Sequence, residues 1–417
     1  IRLAFAGWTV SSMTTAGPSP TATRPDLASW QVTAQPLWPG AARGWLSAMG
    51  LAGCLLGSQT LAASAPLTSD VRLLLPSEGL LAGLGDGLRR GYGLAMEQSR
   101  SCGLTPPSLQ LGWLPPGSDP LPELRAAPRS QLLVAPPAAP LATYGQVAHE
   151  QRLTVLLPLQ RGSSLERLPQ LKGADRLWPI VPARSLEVDR LAEGLLADGI
   201  RRAMVVRDPS ADSRALSERF VAGFGNGRGV VIGPTGEPIA VRANDNAAIE
   251  QLIADVDWYR PPALVVLSPP GSALTRRLQQ ASWPEGLLLA WPFRLQTPMA
   301  NAQLGVDPQS RGTGWQGFAG RFEQRWGYAP GLVESAGYDT GVIAALASVR
   351  SAGRAGWDLQ WFNATAKPLP LCQALQRRSQ GARLRPQGAS SRLDLTAGVS
   401  PGAELRLMRR PAAPAEP

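Results

Sequence analysis

A buried strand that runs directly into a glycine-rich amphipathic helix constrains this chain more than any other feature. Val71-Arg-Leu-Leu-Leu75 is a short apolar run closed by Pro76, the pattern of a strand covered on both faces in a parallel sheet. Ser77-Glu78-Gly79 makes the turn. Leu80, Leu84, Leu88, Tyr92, Ala95 and Met96 then recur at helical spacing, giving an apolar stripe that packs back on the sheet. In an open α/β sheet the loop leaving the carboxyl end of a strand faces the ligand crevice, and the next helix points its free N–H groups there.

The same alternation continues along the chain. Strands are expected at 71–75, 109–114, 131–134, 153–157, 177–181, 202–206, 229–233, 263–267 and 287–291. Amphipathic helices are expected over Ser185–Asp198, Asp212–Phe224 and Ala247–Trp258. This is an α/β chain with mainly parallel sheets. So many strands overfill one sheet, so the chain should cross between two lobes: at Trp178-Pro-Ile-Val-Pro182 and again around Trp291-Pro-Phe293. Beyond 300 the pattern turns helical, with Trp315, Phe318, Phe322 and Trp326 on one stripe and a second helix following Glu334–Gly341. Residues Leu384–Met408 alternate like small terminal strands.

Length and charge narrow the function classes. At 417 residues the chain suits two domains. Its formal charge is +10, yet the positive residues are almost all Arg scattered over helical faces, not the clustered stripe of a nucleic-acid site. Residues 1–43 read as a disordered or non-native upstream extension and 411–417 as a disordered tail. Residues 44–65 carry no charge and follow Arg43, as in an export signal. Within them Leu51-Ala-Gly-Cys54 resembles the lipobox of bacterial lipoproteins, which implies lipidation of Cys54 and a membrane anchor. Cleavage after Ala63-Ser-Ala65, with Pro66 an unfavourable next residue, and a retained membrane anchor are the alternatives. Cys102 and Cys372 remain; they read as buried thiols, with a bridge between them left open.

Three stretches, taken in order, resemble the type I periplasmic substrate-binding proteins, above all the branched-chain amino-acid and amide receptors of ABC transporters. Val71–Ser99 is similar to the family's first strand, turn and Gly/Ala-rich helix. Phe318–Asp339, with Phe322, Tyr328-Ala-Pro330 and Gly337-Tyr-Asp339, is similar to its aromatic-Gly-x-x-Pro segment and the Tyr-Asp opening the next helix. Arg385–Gly398 resembles its closing strands. The resemblance implies two lobes, each a mainly parallel sheet flanked by helices, joined by a three-crossing hinge: residues 68–182 plus 297–350 in the first, 183–296 plus 351–410 in the second. It implies a small-molecule ligand held by hinge closure, a permease and an ATPase as partners, a periplasmic location, no cofactor and no enzymatic activity.

Each candidate cleft residue carries two readings. Ser77 anchors a ligand carboxylate or caps the helix; Glu78 takes an ammonium group or is a solvated loop charge. Pro136 lies in Ala135-Pro-Pro-Ala-Ala-Pro140, which lacks the hydroxyls that the family's amino-acid receptors offer there. Arg161 and Ser163 are positioned to supply the missing anion contacts, or are ordinary loop residues. In the second lobe Asp208 or Ser210 touches ligand while Asp212 or Ser213 caps the helix; Ser268 faces the cleft; Trp291 walls an apolar pocket or belongs to the core. Tyr338 and Asp339 open and pack their helix.

Gly223–Gly229 lies between helix and strand, the wrong order for a phosphate cradle, and His149 has no triad partner nearby, so neither catalysis nor a metal site is argued. Two functions remain: solute capture for an ABC importer with an amino-acid-like ligand, or a lipoprotein of the same fold that regulates a cell-wall synthase by contact, as penicillin-binding-protein activators do. The hydroxyl-free loop favours the second, while the Tyr338-Asp339 segment and the closing strands favour the first, which is the leading reading.

Overall fold

The protein is described here by a computed structural model, covering residues 69–115, 117–126, 131–295, 298–307, 312–351 and 353–412. Cys54, the signal-like segment 44–65, the extension 1–43 and most of the tail 411–417 lie outside the described residues. Among the described residues no helix is long and apolar enough to cross a membrane.

The first lobe runs β1 (Val71–Pro76), α1 (Gly79–Ser101), β2 (Leu109–Leu114), α2 (Leu121–Ala126), β3 (Leu132–Val134), α3 (Leu141–Gln151), β4 (Thr154–Leu157), a 3-10 segment (Ser163–Gln170) and β5 (Leu177–Pro179). Its parallel sheet has the order β2-β1-β3-β4-β5, that of a doubly wound fold. The continuous apolar run in β1 has the expected cause. Val71, Leu73 and Leu75 enter one core layer and Leu74 the other, so both faces of the strand are covered.

The second lobe runs α4 (Arg184–Ala197), β6 (Arg202–Arg207), α5 (Ala211–Asn226), β7 (Val230–Val231), β8 (Ile239–Ala240), α6 (Asn246–Tyr259), β9 (Ala263–Leu267), α7 (Ala273–Gln280), β10 (Leu288–Trp291) and β11 (Gln303–Asp307). The chain then returns through α8 (Trp315–Trp326), α9 (Leu332–Ser348), β12 (Arg350–Ser351), β13 (Arg354–Ala355), β14 (Pro368–Leu369), α10 (Leu371–Ser379) and β15 (Arg385–Pro386), before β16 (Arg406–Arg410) closes the second sheet. That sheet has the order β16-β11-β10-β9-β6-β7, with β8 also on β6; only β16 is antiparallel to its neighbour. Its strands also alternate between two layers, Met204 and Val206 on one, Ala203 and Val205 on the other.

The glycine-rich first helix serves close packing. A side chain at Gly91 would overlap the Glu334 carbonyl, and one at Gly337 the Leu88 carbonyl, so α1 and α9 touch backbone to backbone. Cys102, just past α1, is joined to Cys372 in α10 by a disulfide, which corrects the reading of two unreactive thiols. Their 270-residue separation hides the pairing from local sequence.

The lobe boundaries also differ from the expected ones. Gln303–Asp307 pairs with β10 in the second sheet, so this strand does not belong to the first lobe and Trp291–Phe293 is no crossing. Leu359, Trp361, Leu371, Leu384 and Leu393 join the first-lobe core, so within 353–410 only the last strand lies in the second sheet. A five-residue strand interrupted by Gly305 left little period to read.

Asp339 lies inside α9, not at its opening, and is fully buried. Its carboxylate accepts from the backbone N–H groups of Ala389 and Ser390, both at 2.7 Å, and from Ser390 Oγ at 2.6 Å. The loop it holds touches two crossings: Gly312 N–H donates to the Ala389 carbonyl at 3.1 Å, and Ser391 Oγ to the Ile180 carbonyl at 2.8 Å. Burial pushes the Asp339 carboxyl up to about 7, with the donors at 389–391 opposing it.

Candidate functional site

The carboxyl ends of the two sheets carry the candidate cleft loops. After β1, Ser77 and Glu78 are both exposed, and neither side chain has a partner among the described residues. Ser77 is not a helix cap: Glu78 occupies that position and makes no capping bond, while the Ser77 backbone N–H is tied to the Leu114 carbonyl at 3.0 Å.

Pro136 is buried beneath the β3–α3 loop. Its carbonyl and that of Pro137 both accept from Gln160 Nε2 at 3.0 Å, so a buried glutamine, which sequence reasoning passed over, fastens this loop to the one after β4. A lone amide side chain just after Pro158-Leu159, opposite the apolar Ala135–Pro140 loop, was the available signal. Pro76, Leu114, Pro115, Pro136, Pro140 and Tyr144 line a small apolar cavity of about 60 Å³ at this edge. The Tyr144 hydroxyl is buried without a partner among the described residues, and burial raises its pKa, so the phenol stays neutral.

The loop after β4 does not present its guanidinium to the cleft. Arg161 Nε donates to the Pro182 carbonyl at 3.0 Å, and its terminal nitrogen pairs with Glu187 Oε1 in α4. Glu187 is 1% exposed; burial raises its pKa and the Arg161 charge opposes that rise. Arg161 is therefore a clamp between the first lobe and the first helix of the second. The backbone N–H of Ser163 donates to Asp212 Oδ1 at 2.6 Å, and the other oxygen of that carboxylate meets Arg184 Nη1 at 3.3 Å. The anion that Ser163 receives is thus supplied by α5 of the same chain. Arg219 adds a further link, 2.6 Å from Asp189 and 3.6 Å from Glu166 in the 3-10 segment.

In the second lobe the polar residues serve one another. Asp208 accepts from Ser210 N–H at 2.8 Å, Ser213 Oγ at 2.7 Å and Ser268 Oγ at 3.0 Å. Burial alone would raise its pKa, but these bonds outweigh it and hold the carboxyl below its ordinary value. Ser210, not Asp212 or Ser213, caps α5, accepting from Ser213 N–H at 3.2 Å. Ser268 is buried and also bonds Ser272, the cap of α7, at 2.9 Å. Trp291 is fully buried against Phe293 in the second-lobe core, because β10 continues into a sheet neighbour rather than a crossing. Of the named residues, the structure brings Asp208, Ser210 and Ser268 into one network. It brings Arg161 and Ser163 to the lobe junction and leaves Ser77 and Glu78 open to solvent. Among the described residues no group of His, Cys, Asp or Glu is arranged to hold a metal.

No protein-family model matches the chain, and no curated protein sequence matches it. Solved structures do. A solute-binding protein of an ABC transporter from Rhodopseudomonas palustris, in complex with benzoate, is 17% identical, with 82% of this chain and 92% of that chain covered at a TM-score of 0.55. An ABC transporter substrate-binding protein from Desulfitobacterium hafniense, in complex with Leu, is 13% identical, with 82% and 98% covered at 0.56. A second R. palustris solute-binding protein, in complex with 4-hydroxybenzoate, is 12% identical, with 72% and 85% covered at 0.52. The chain has the type I periplasmic-binding-protein fold.

Proposed function

We propose that the protein is an extracytoplasmic solute-binding protein of an ABC importer, which captures a small carboxylate with an apolar body between its lobes and presents it to a membrane permease and ATPase. The observation that carries this reading is the pairing of an apolar, proline-lined edge with open polar groups beside it. Pro76, Pro136 and Tyr144 would take an apolar edge of the ligand, the exposed and unpartnered Ser77 hydroxyl would donate to its carboxylate, and Glu78 would take an ammonium group where the ligand, like leucine, carries one. Benzoate, 4-hydroxybenzoate and leucine, bound by structures of the same fold, have this character. Lipidation at Cys54 would hold the protein at the membrane surface. A thermal-shift screen tests the reading: a ligand that binds only the folded form raises the melting temperature, and Ser77→Ala should reduce that rise. A flat response to benzoates, leucine, amides and short peptides sinks it.

A second reading is favoured by a separate observation: Asp212 and Glu187 already engage the Ser163 N–H and Arg161, so the chain's own carboxylates join the lobes. On that reading the protein is a contact regulator of a cell-wall synthase. Silence in the solute screen together with saturable binding to a purified penicillin-binding protein would establish it over the first.

A further inference from the structure

We propose a second binding site, for a small anion bearing a carboxylate or phosphate, at the lobe crossings. A cavity of about 490 Å³ opens there, lined by the second crossing at Gly312, by Arg385 in β15, by Arg392 and Asp394, and by Glu404 and Arg406 where the chain re-enters the second sheet. None of the cleft residues lines it.

The charges in this cavity do not cancel. Arg392 lies 3.5 Å from Glu404, so these two offset each other. Asp394 is engaged by the Gly402 N–H at 3.0 Å. Arg385 and Arg406 are left over: among the described residues neither guanidinium has a hydrogen-bond or ion partner, and Arg385 Nε is buried as well as unpartnered. Leaving a buried donor of a charged group without an acceptor is costly. A planar carboxylate or a phosphate supplies paired acceptors that match a guanidinium fork, and the cavity has room for one. The two carboxylates restrict the ligand to a compact anion, since a large polyanion would be driven against Asp394 and Glu404.

The position gives the site a consequence. Arg385 sits in the small β14–β15 sheet, whose neighbour Leu384 packs in the first-lobe core, and Arg406 in the strand that closes the second sheet, so an anion bridging them links the two cores. It would favour the lobe arrangement in which both arginines reach it, by the difference in affinity between the arrangements.

The experiment is calorimetric titration of the full chain with inorganic phosphate and, separately, with succinate, at constant ionic strength set with chloride. Saturable binding of either is expected, and whichever binds identifies the anion class. Arg385→Gln/Arg406→Gln should weaken it at least about tenfold, since two charge-assisted contacts are lost. Arg406→Gln alone, at an exposed position that leaves the core intact, should weaken it by a smaller factor, and Arg242→Gln on the remote second-lobe surface should leave it unchanged. No saturable heat with either anion, or equal binding in all four proteins, overturns the proposal. Binding lost in Arg385→Gln/Arg406→Gln but kept in Ser77→Ala belongs to this site, and the reverse pattern belongs to the cleft.

Discussion

The loops at the carboxyl ends of the two sheets are built from opposite materials. The first is rimmed by Pro76, Pro115, Pro136 and Pro140 around an apolar cavity, and its polar tie is one buried amide, Gln160. The second carries Asp208, Ser210, Ser213, Ser268, Ser272 and Thr275, joined in a continuous hydrogen-bonded chain. The hydroxyl-rich edge looks the more suitable for a polar ligand when residues are counted. Its groups, however, are committed to holding the starts of α5 and α7 against β6 and β9, because buried donors and acceptors must find partners within the protein. A polar residue at a strand end is therefore evidence for a ligand contact only once its internal partners are known. By that measure Ser77 and Glu78, on the edge poorer in polar side chains, are the open groups.

The contrast breaks hardest at the junction of the edges. Glu187→Ala leaves the Arg161 guanidinium without its buried counter-charge and should lower stability by about 3–5 kcal/mol, read as a shift in the midpoint of denaturant unfolding. Replacing both partners, as in Arg161→Met/Glu187→Leu, should recover most of that loss, because the desolvation of both charges is relieved. If the single variant unfolds at the wild-type midpoint, the pair is not a clamp and Arg161 returns as a candidate for the ligand.

A smaller effect distinguishes the second edge. Asp208→Ala removes the acceptor of three bonds in a half-exposed loop and should cost about 1–2 kcal/mol. Its pH signature has a definite sign. The folded carboxyl sits below its ordinary value, so its contribution is complete above about pH 4 and is lost as the pH falls through the folded value. Asp339 behaves oppositely: raised to about 7, it contributes fully below the ordinary carboxylate range and loses that contribution as the pH rises through about 7. Urea unfolding across pH 3 to 8 should show the acid-side loss diminished in Asp208→Ala and the neutral-side slope diminished in Asp339→Asn. Unchanged profiles in both would contradict the assignments.

What the sequence made legible follows the range of the interaction. The nine expected strands are all present, and the helices at 184–197, 211–226 and 246–259 lie within two residues of their expected ends, because periodicity is a local signal. Gln303–Asp307 escaped because it is only five residues long and offers just two apolar side chains, Leu304 and Val306, on either side of a glycine. The site fared worse for a physical reason. Arg161 finds Glu187 26 residues away, Ser163 finds Asp212 49 residues away, and Ser268 finds Asp208 60 residues away. Loop composition announces that such groups are polar but is silent on which distant partner satisfies them. The Asp339 link to Ser390 is 51 residues long, which is why a residue placed at a helix opening proves to be the buried anchor of the crossings.

The gentlest perturbation bears most directly on the meaning of the cleft. Asp212 is about one-third exposed, so its contacts with the Ser163 N–H and Arg184 are screened by water, and Asp212→Ala should cost less than about 1 kcal/mol. Ser210, the cap of α5, is untouched, so the helix start should survive. The expected change lies in the lobes rather than in stability: one of the ties between α5 and the 3-10 segment is gone, so the ligand-free protein should spend more time open, seen as a larger radius of gyration in solution scattering. The freed Ser163 N–H would then be available to an anionic ligand, and any carboxylate that binds the wild-type cleft should bind the variant more tightly. An unchanged radius and unchanged affinity would mean that the Arg161–Glu187 clamp alone sets the lobe spacing and that Asp212 only fills a gap. Separating those outcomes decides whether the contrast between the edges is a resting state that a ligand reverses or the permanent construction of a contact module.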